Sequence, residues 1–162
     1  MVWGLMNYWL VKSEPDDCGI QHFVDKGSTA ICWDGVRNYQ ARNFLRKMDT
    51  DDLVFLYHSS CKVIGIAGTL KVTRAAYPDP LQFDVASRYF DAKSTMDQPR
   101  WTAVDLVLDR AFRTVIGRAQ LQSLVSFADS PLTGKGSRLS VMPIAKTQWS
   151  DVVQIADATR TH

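Results

Sequence analysis

The strongest constraint on the fold is a strand that is apolar on both faces. In "LVFLYH", residues 53–58, every position except the last is apolar, so neither face of the extended chain suits water. The stretch "YWLV", residues 8–11, has the same property. A sheet with one solvated face would instead alternate apolar and polar residues. The pattern predicts a sheet that curls around one core and is also covered by a helix.

The other predicted elements give one α+β unit. Strands are predicted in 29–33, 62–72, 100–112 and 139–144, with helices in 16–27, 36–48, 116–127 and 147–156. Asp16 or Asp17 is predicted to cap the first helix and Thr147 the last. "AAYPDP" is a predicted turn, and residues 82–100 a long loop. Since neither a repeat nor an interdomain linker is visible, residues 1–162 are interpreted as a single domain.

Charge and cysteine content narrow the class of protein. A net charge of +2 is too small for a protein that grips long stretches of nucleic-acid backbone, so any such contact should be local and salt-sensitive. The 3 cysteines lack the C-x-x-C spacing of structural zinc and are odd in number, which favours free thiols in a reducing, cytoplasmic setting. The N-terminus has neither the basic region of a signal peptide nor the length of a membrane span. We expect a monomer without metal, cofactor or membrane partner.

The segment "CWDGVRNYQARNFLRKM", residues 32–48, carries unusual polar residues for a helix. They are Asn, Gln and Arg, the side chains that contact base edges and phosphates. Helical spacing places Asn38, Arg42 and Arg46 on one outward stripe. In the Gly-rich loop "TGKGS", the absence of a complete Walker pattern leaves Lys135 and the following Arg138 as flexible cations for a phosphate backbone.

Trp33 is the aromatic residue best placed to wall a pocket. It ends a predicted strand just before Asp34-Gly35, and Asn38 and the strand end with Tyr57 and Ser59 are expected nearby. An indole with amide and hydroxyl groups can hold a splayed base and pair with its edge. Packing for Trp33 and helix capping for Asn38 are the alternatives. An apolar niche for one methyl group would favour a modified base by only about 1–3 kcal/mol.

A catalytic interpretation of "YHSSC", residues 57–61, is weaker. On a strand, His58 and Ser59 point to opposite faces, so the imidazole cannot activate that hydroxyl. No complete nucleophile or zinc-protease motif is present. An enzyme using His58 or Glu14 remains an alternative without a paired acid and base.

The motifs, taken in order, resemble the EVE domain family of the PUA-like superfamily. The resemblance rests on "YWLVKSEP", "WDGVRNYQARNFLRKM", "LVFLYHS", "VIGIAGTLKV", "YPDP", "RWTAVDLV" and "RLSVMPI", and it runs from about Tyr8 to Ile155. It implies a PUA-like fold, a curved mixed sheet or pseudo-barrel with flanking helices. It also implies a non-catalytic reader of modified bases, above all modified cytosine in DNA. An RNA-binding role on tRNA or rRNA is the alternative that the same superfamily implies.

The resemblance and the residue chemistry together predict two groups of site residues. The base pocket would contain Lys12, Ser13, Glu14, Trp33, Val36, Asn38, Tyr39, Tyr57, His58 and Ser59. The phosphate contacts would come from Arg37, Arg42, Arg46, Lys135 and Arg138. The chain departs from the family at Asp51-Asp52, where members commonly have Gly-Asp. Since Asp tolerates a left-handed turn at modest cost, the fold should survive this change.

Overall fold

The computed structural model describes residues 6–134 and 138–159. The strands are β1 (Tyr8–Ser13), β2 (Ile31–Trp33), β3 (Leu53–His58), β4 (Gly65–Pro78), β5 (Thr102–Gly117) and β6 (Val141–Ile144). The helices are α1 (Pro15–Cys18), α2 (Ile20–Lys26), α3 (Tyr39–Leu45), α4 (Arg118–Gln122) and α5 (Lys146–Thr159). Two 3₁₀ helices cover Pro80–Phe83 and Val125–Phe127.

The strands form one mixed sheet in the order β2-β5-β4-β3-β1-β6. β1 and β3 run parallel, and every other pair in the order is antiparallel. Within the described residues β2 and β6 stay at opposite edges, so the sheet does not close into a barrel. Pro143 lies in β6, and an edge strand tolerates a residue without an N–H group.

The sheet carries a hydrophobic core on each face, as the two-sided strands predicted. On one face Val54 and Leu56 pack with the buried side chains of α2 and α3. On the other face Phe55 packs with the buried side chains of α4 and α5, and its ring stacks on Trp149 at 4.0 Å. Both faces of β3 are therefore buried because helices cover both sides of the sheet.

The turn before β3 forms with Asp51 at the position where the family pattern has glycine. Asp51 adopts a φ of 76°, the left-handed conformation that Asp tolerates. The buried Asp52 carboxylate accepts hydrogen bonds from the Trp9 indole N–H at 2.9 Å and from the Asp49 backbone N–H at 2.9 Å. The turn thus replaces the glycine of the family pattern and fastens β1 to β3.

Several predicted boundaries were wrong. The predicted helix at 16–27 is split at Gly19, whose backbone is extended, and Glu14 rather than Asp16 or Asp17 precedes the first helical residue. The last helix begins at Lys146, so Thr147 lies inside it and is not its cap. The predicted turn at 75–80 is largely strand, because β4 continues to Pro78.

Helix α3 is shorter than the predicted helix at 36–48. Asn38 has extended backbone angles and caps the helix, with its side-chain oxygen accepting a hydrogen bond from the Ala41 N–H at 2.9 Å. Residues 34–37 form a connection without regular secondary structure instead. This connection carries Val36 into the core and Arg37 towards a buried carboxylate.

Candidate functional site

A cavity of about 760 Å³ opens where the parallel strands β1 and β3 end. Because both strands run in the same direction, their last residues meet at one edge, and the Ser59 N–H donates to the Ser13 carbonyl at 3.0 Å. The connection between β2 and α3 forms the opposite wall. The volume lies in the range of pockets that hold small organic ligands.

Most of the predicted base-pocket residues line this cavity. They are Lys12, Ser13, Glu14, Trp33, Val36, Asn38 and Ser59. The sequence separation between the first and the last is large, so their meeting depends on the sheet topology rather than on any local motif. The structure brings the segments around Ser13, Trp33 and Ser59 to one cavity, and their role in binding stays a prediction.

Tyr39, Tyr57 and His58 lie elsewhere. Tyr57 is buried in the core on the α5 side of the sheet. His58 accepts a hydrogen bond at Nε2 from the Ile20 backbone N–H at 3.1 Å, and burial lowers the pKa of its imidazole. The imidazole is thus held neutral as a structural acceptor, which leaves it poorly suited to act as a base on a ligand.

Tyr39 belongs to an outer surface that also holds two of the predicted arginines. Tyr39 is 52% exposed, and its ring stacks on Trp101 with the centroids 4.8 Å apart. The Arg42 guanidinium lies 4.7 Å from the centre of the Tyr39 ring. Arg42 also donates to the Arg100 carbonyl at 3.0 Å. Arg46 donates to the Thr102 hydroxyl at 2.9 Å. These side chains fasten α3 to the segment before β5 and form a cationic surface outside the cavity.

Trp33 is both a core residue and a wall of the cavity. Only 7% of it is exposed, and Phe23 lies against its ring with the centroids 6.3 Å apart. Trp33 is also among the residues that line the cavity. Packing and pocket formation are therefore not alternatives for this residue, since buried contacts hold the indole in place at the cavity wall.

Arg37 is engaged inside the protein rather than directed at a ligand. Its Nη1 lies 2.8 Å from the Asp79 carboxylate, which is completely buried. Its Nε and Nη2 donate to the Tyr89 carbonyl at 3.1 and 2.8 Å. Asp79 also accepts from the Gly35 N–H at 2.8 Å. The ion pair thus fastens the wall of the cavity to the loop after β4.

Gly35 is required where this wall turns. Its φ is +75°, and a Cβ at this position would lie 3.0 Å from the Tyr89 ring. Tyr89 itself lines the cavity. A larger residue at position 35 would therefore strain the backbone and push this second aromatic side chain away.

The cations at the cavity are Lys12, Arg88 and Arg138, together with the engaged Arg37. Burial, followed by the proximity of Arg118, lowers the pKa of Lys12. Arg88 and Arg138 are exposed, so their charges lie at the mouth. Lys135, also predicted to contact phosphates, lies outside the described residues.

One half-buried acid lies beside Trp33. Asp34 lines the cavity close to the Cys32 thiol. Burial, reinforced by the Asp79 carboxylate, raises the pKa of Asp34. Burial also raises the pKa of Cys32 to about 11, so its thiol is protonated and unreactive at neutral pH.

Sequence reasoning missed Asp34, Arg88 and Tyr89 as cavity residues. Asp34 was interpreted only as part of a turn, and Arg88 and Tyr89 lie in the loop at 82–100. An Arg-Tyr pair in a polar loop was the available signal, since both residue types are common in binding surfaces. Nothing in the loop sequence indicates that it folds back to Arg37.

The described parts of the chain contain no group of three or more His, Cys, Asp or Glu residues arranged to hold a metal ion. Across the described ranges, none of the helices has the length and apolar character needed to cross a membrane.

Comparison with known proteins identifies the family. The EVE domain model matches residues 7–155. Mouse thymocyte nuclear protein 1 is 36% identical over 169 residues, covering 94% of this chain and 75% of that protein. A Pseudomonas putida crystal structure shares 49% identity with a TM-score of 0.88, covering 92% of this chain and 99% of the other.

A third relative was solved with a ligand. The structure of human THYN1 in complex with 5-methylcytosine-containing DNA shares 35% identity with a TM-score of 0.80, covering 93% of this chain and 97% of the other. The predicted PUA-like α+β fold is confirmed by these matches. The chain belongs to the EVE domain family.

Proposed function

We propose that this protein is a non-catalytic module that binds nucleic acid by accepting one modified base, 5-methylcytosine or a related cytosine, in the cavity beside Trp33. The observation that carries the proposal is the cavity itself, with an indole, an apolar Val36 and several hydrogen-bonding groups at its wall. The human relative in complex with 5-methylcytosine-containing DNA supports the choice of base.

In this arrangement the cavity would supply specificity for the base, and the cations at its mouth would supply affinity for the phosphates. A base must leave the stack to enter a cavity of this kind, which costs a few kcal/mol in a duplex and less in a single strand. Arg88 and Arg138 at the mouth would contact the flanking phosphates, which adds affinity without reading sequence. Arg42 and Arg46 would contact phosphates of the nucleic acid further along, where it would cross the outer surface near Tyr39. Arg37 is not assigned to phosphates, because four of its five N–H groups already donate within the protein.

Binding to a panel of oligonucleotides tests the proposal. Fluorescence anisotropy would compare labelled single strands that differ at one position, which holds 5-methylcytosine, cytosine or an abasic site. The expected order of affinity is 5-methylcytosine above cytosine above abasic, with about a tenfold preference for the methylated base because one methyl group contributes about 1–3 kcal/mol. Equal affinity for all three strands would contradict the proposal.

Removing a cation at the mouth of the cavity should weaken the binding of every oligonucleotide by the same factor. Arg138→Ala is expected to reduce affinity for methylated and abasic strands by the same factor and to lower the slope of log K against log salt by about 0.7, the value for one phosphate contact on a single strand. Lys71→Ala, a change of the same charge at an exposed position of β4, is the matched control. An Arg138→Ala protein with an unchanged salt slope would remove this residue from the phosphate contacts.

A further inference from the structure

The hydrogen-bonding groups of the cavity differ in how they can select a base. Asn38 and the serines each have donor and acceptor atoms, so they accommodate either kind of base edge. Lys12 and the arginines only donate. An ionised carboxylate only accepts hydrogen bonds. Of the three carboxylates that line the cavity, Glu14 and Asp17 are exposed, whereas Asp34, next to Trp33, is half-buried.

The Asp34 carboxylate has capacity for a ligand. A carboxylate offers about four lone-pair sites. The Cys32 thiol and the backbone N–H of Asp34 itself lie close enough to this group to act on its pKa, lowering it against the effect of burial. The Arg37 guanidinium contributes only at a distance, since its hydrogen bonds go to Asp79, Tyr89 and Val36. Asp34 therefore remains able to accept a further N–H group within the cavity.

We infer that Asp34 is the specificity-determining residue of the cavity and selects bases with an exocyclic amino group, as in cytosine, over bases with a carbonyl at that place, as in thymine and uracil. The inference rests on the proposed function, because it needs a base in the cavity. A carboxylate accepts a hydrogen bond from the cytosine amino group. It repels the O4 carbonyl of thymine, since both groups are acceptors.

The same pairing accounts for a methyl group on the base. The amino-bearing C4 of cytosine is bonded to C5, so a base whose amino group contacts Asp34 carries its 5-substituent alongside that contact. Val36, only two residues further along the same wall, is buried and lines the cavity. Asp34 and Val36 would thus supply a polar and an apolar surface of the same cavity for the amino group and the methyl group.

The sharpest test compares 5-methylcytosine with thymine in otherwise identical single strands. Thymine is 5-methyluracil, so the two bases share the methyl group and differ in the amino group and the adjacent ring nitrogen. Anisotropy would be measured at pH 8, above the ordinary range of carboxyl pKa values. The parent protein is expected to prefer 5-methylcytosine by about tenfold, within the range for one specific base contact.

Asp34→Asn provides the critical variant because it keeps the size of the side chain. An amide donates as well as accepts, so the preference for 5-methylcytosine over thymine should fall to about threefold or less, mainly through tighter thymine binding. Asp16→Asn is the matched control, since Asp16 is an exposed acid of α1 and the parent preference should persist there. Thermal melting of both variants checks that the fold is retained.

The outcomes separate this inference from the proposed function. If the parent binds 5-methylcytosine, thymine and abasic strands equally, the cavity does not read bases and the proposed function fails. A parent that prefers both bases over the abasic strand but does not distinguish them overturns only the role of Asp34. The same holds if Asp34→Asn, correctly folded, keeps the parent preference.

Discussion

Replacing Arg37 by alanine is expected to lower the free energy of unfolding by about 3 kcal/mol, the lower end for breaking a buried ion pair from one side. The change would leave the completely buried Asp79 carboxylate without its cation. The lower end applies because Asp79 still accepts hydrogen bonds from the Gly35 and Leu81 N–H groups at 2.8 and 2.7 Å. Urea denaturation followed by circular dichroism measures the effect.

Arg88→Ala serves as the control for Arg37→Ala. Arg88 is exposed and contacts the same tyrosine, Tyr89, through its ring and hydroxyl. Its removal should change stability by less than about 0.5 kcal/mol, as for ordinary surface substitutions. If both variants lose the same small amount, Arg37 is not the structural anchor that its contacts indicate, and its family motif would again suggest a role in phosphate binding.

Replacing Trp33 by alanine is expected to reduce both stability and base-dependent binding. Truncating a buried tryptophan costs about 3–5 kcal/mol of unfolding free energy, and Trp33 is packed against Phe23. A contact between a base and an aromatic side chain is worth about 1–3 kcal/mol, so the preference for a base over an abasic site should fall by about tenfold. Denaturation and anisotropy measure the two effects separately.

Further variants separate an effect on the cavity wall from an effect on overall stability. Trp33→Phe keeps an aromatic ring and should retain much of the preference with a smaller loss of stability. Trp149→Phe tests the equivalent change in the core on the α5 side, where Trp149 stacks on Phe55. This variant should lose stability while its preference for a base is unchanged. A loss of preference in Trp149→Phe equal to that in Trp33→Phe would mean that general destabilisation, not the cavity wall, explains the result.

The fold could be predicted from sequence where the pattern reflects burial. Residues 53–58 are apolar on both faces because helices cover both sides of β3, and this requirement is visible in the sequence itself. Helix lengths were harder to predict. Helical spacing continues through 36–38, but these residues precede α3 in the structure, where Gly35 has a φ of +75° and Arg37 forms an ion pair with Asp79. Such tertiary contacts override the local preference.

The candidate site was only partly visible for the same reason. The segments containing Ser13, Trp33 and Ser59 were expected to meet, and the cavity brings them together. Tyr39 and Tyr57 were included because they belong to the family motifs in these segments, but adjacent residues of a strand or helix point in different directions. Arg42 and Arg46 contact the segment before β5. No local sequence pattern indicates that these arginines contact this segment of the chain, so the sequence alone indicated only two cations on the outside of the helix.

The most direct test of a base in the cavity is an NMR titration of ¹⁵N-labelled protein with a short single strand containing one 5-methylcytosine. The account predicts that the Trp33 indole and the backbone amides of Gly35, Val36 and Ser59 shift most, while the Trp149 indole does not respond. The matching abasic strand should leave the Trp33 indole signal in place. Large shifts confined to Tyr39 and Trp101, with the cavity signals unchanged, would contradict the account and place the nucleic acid on the outer surface.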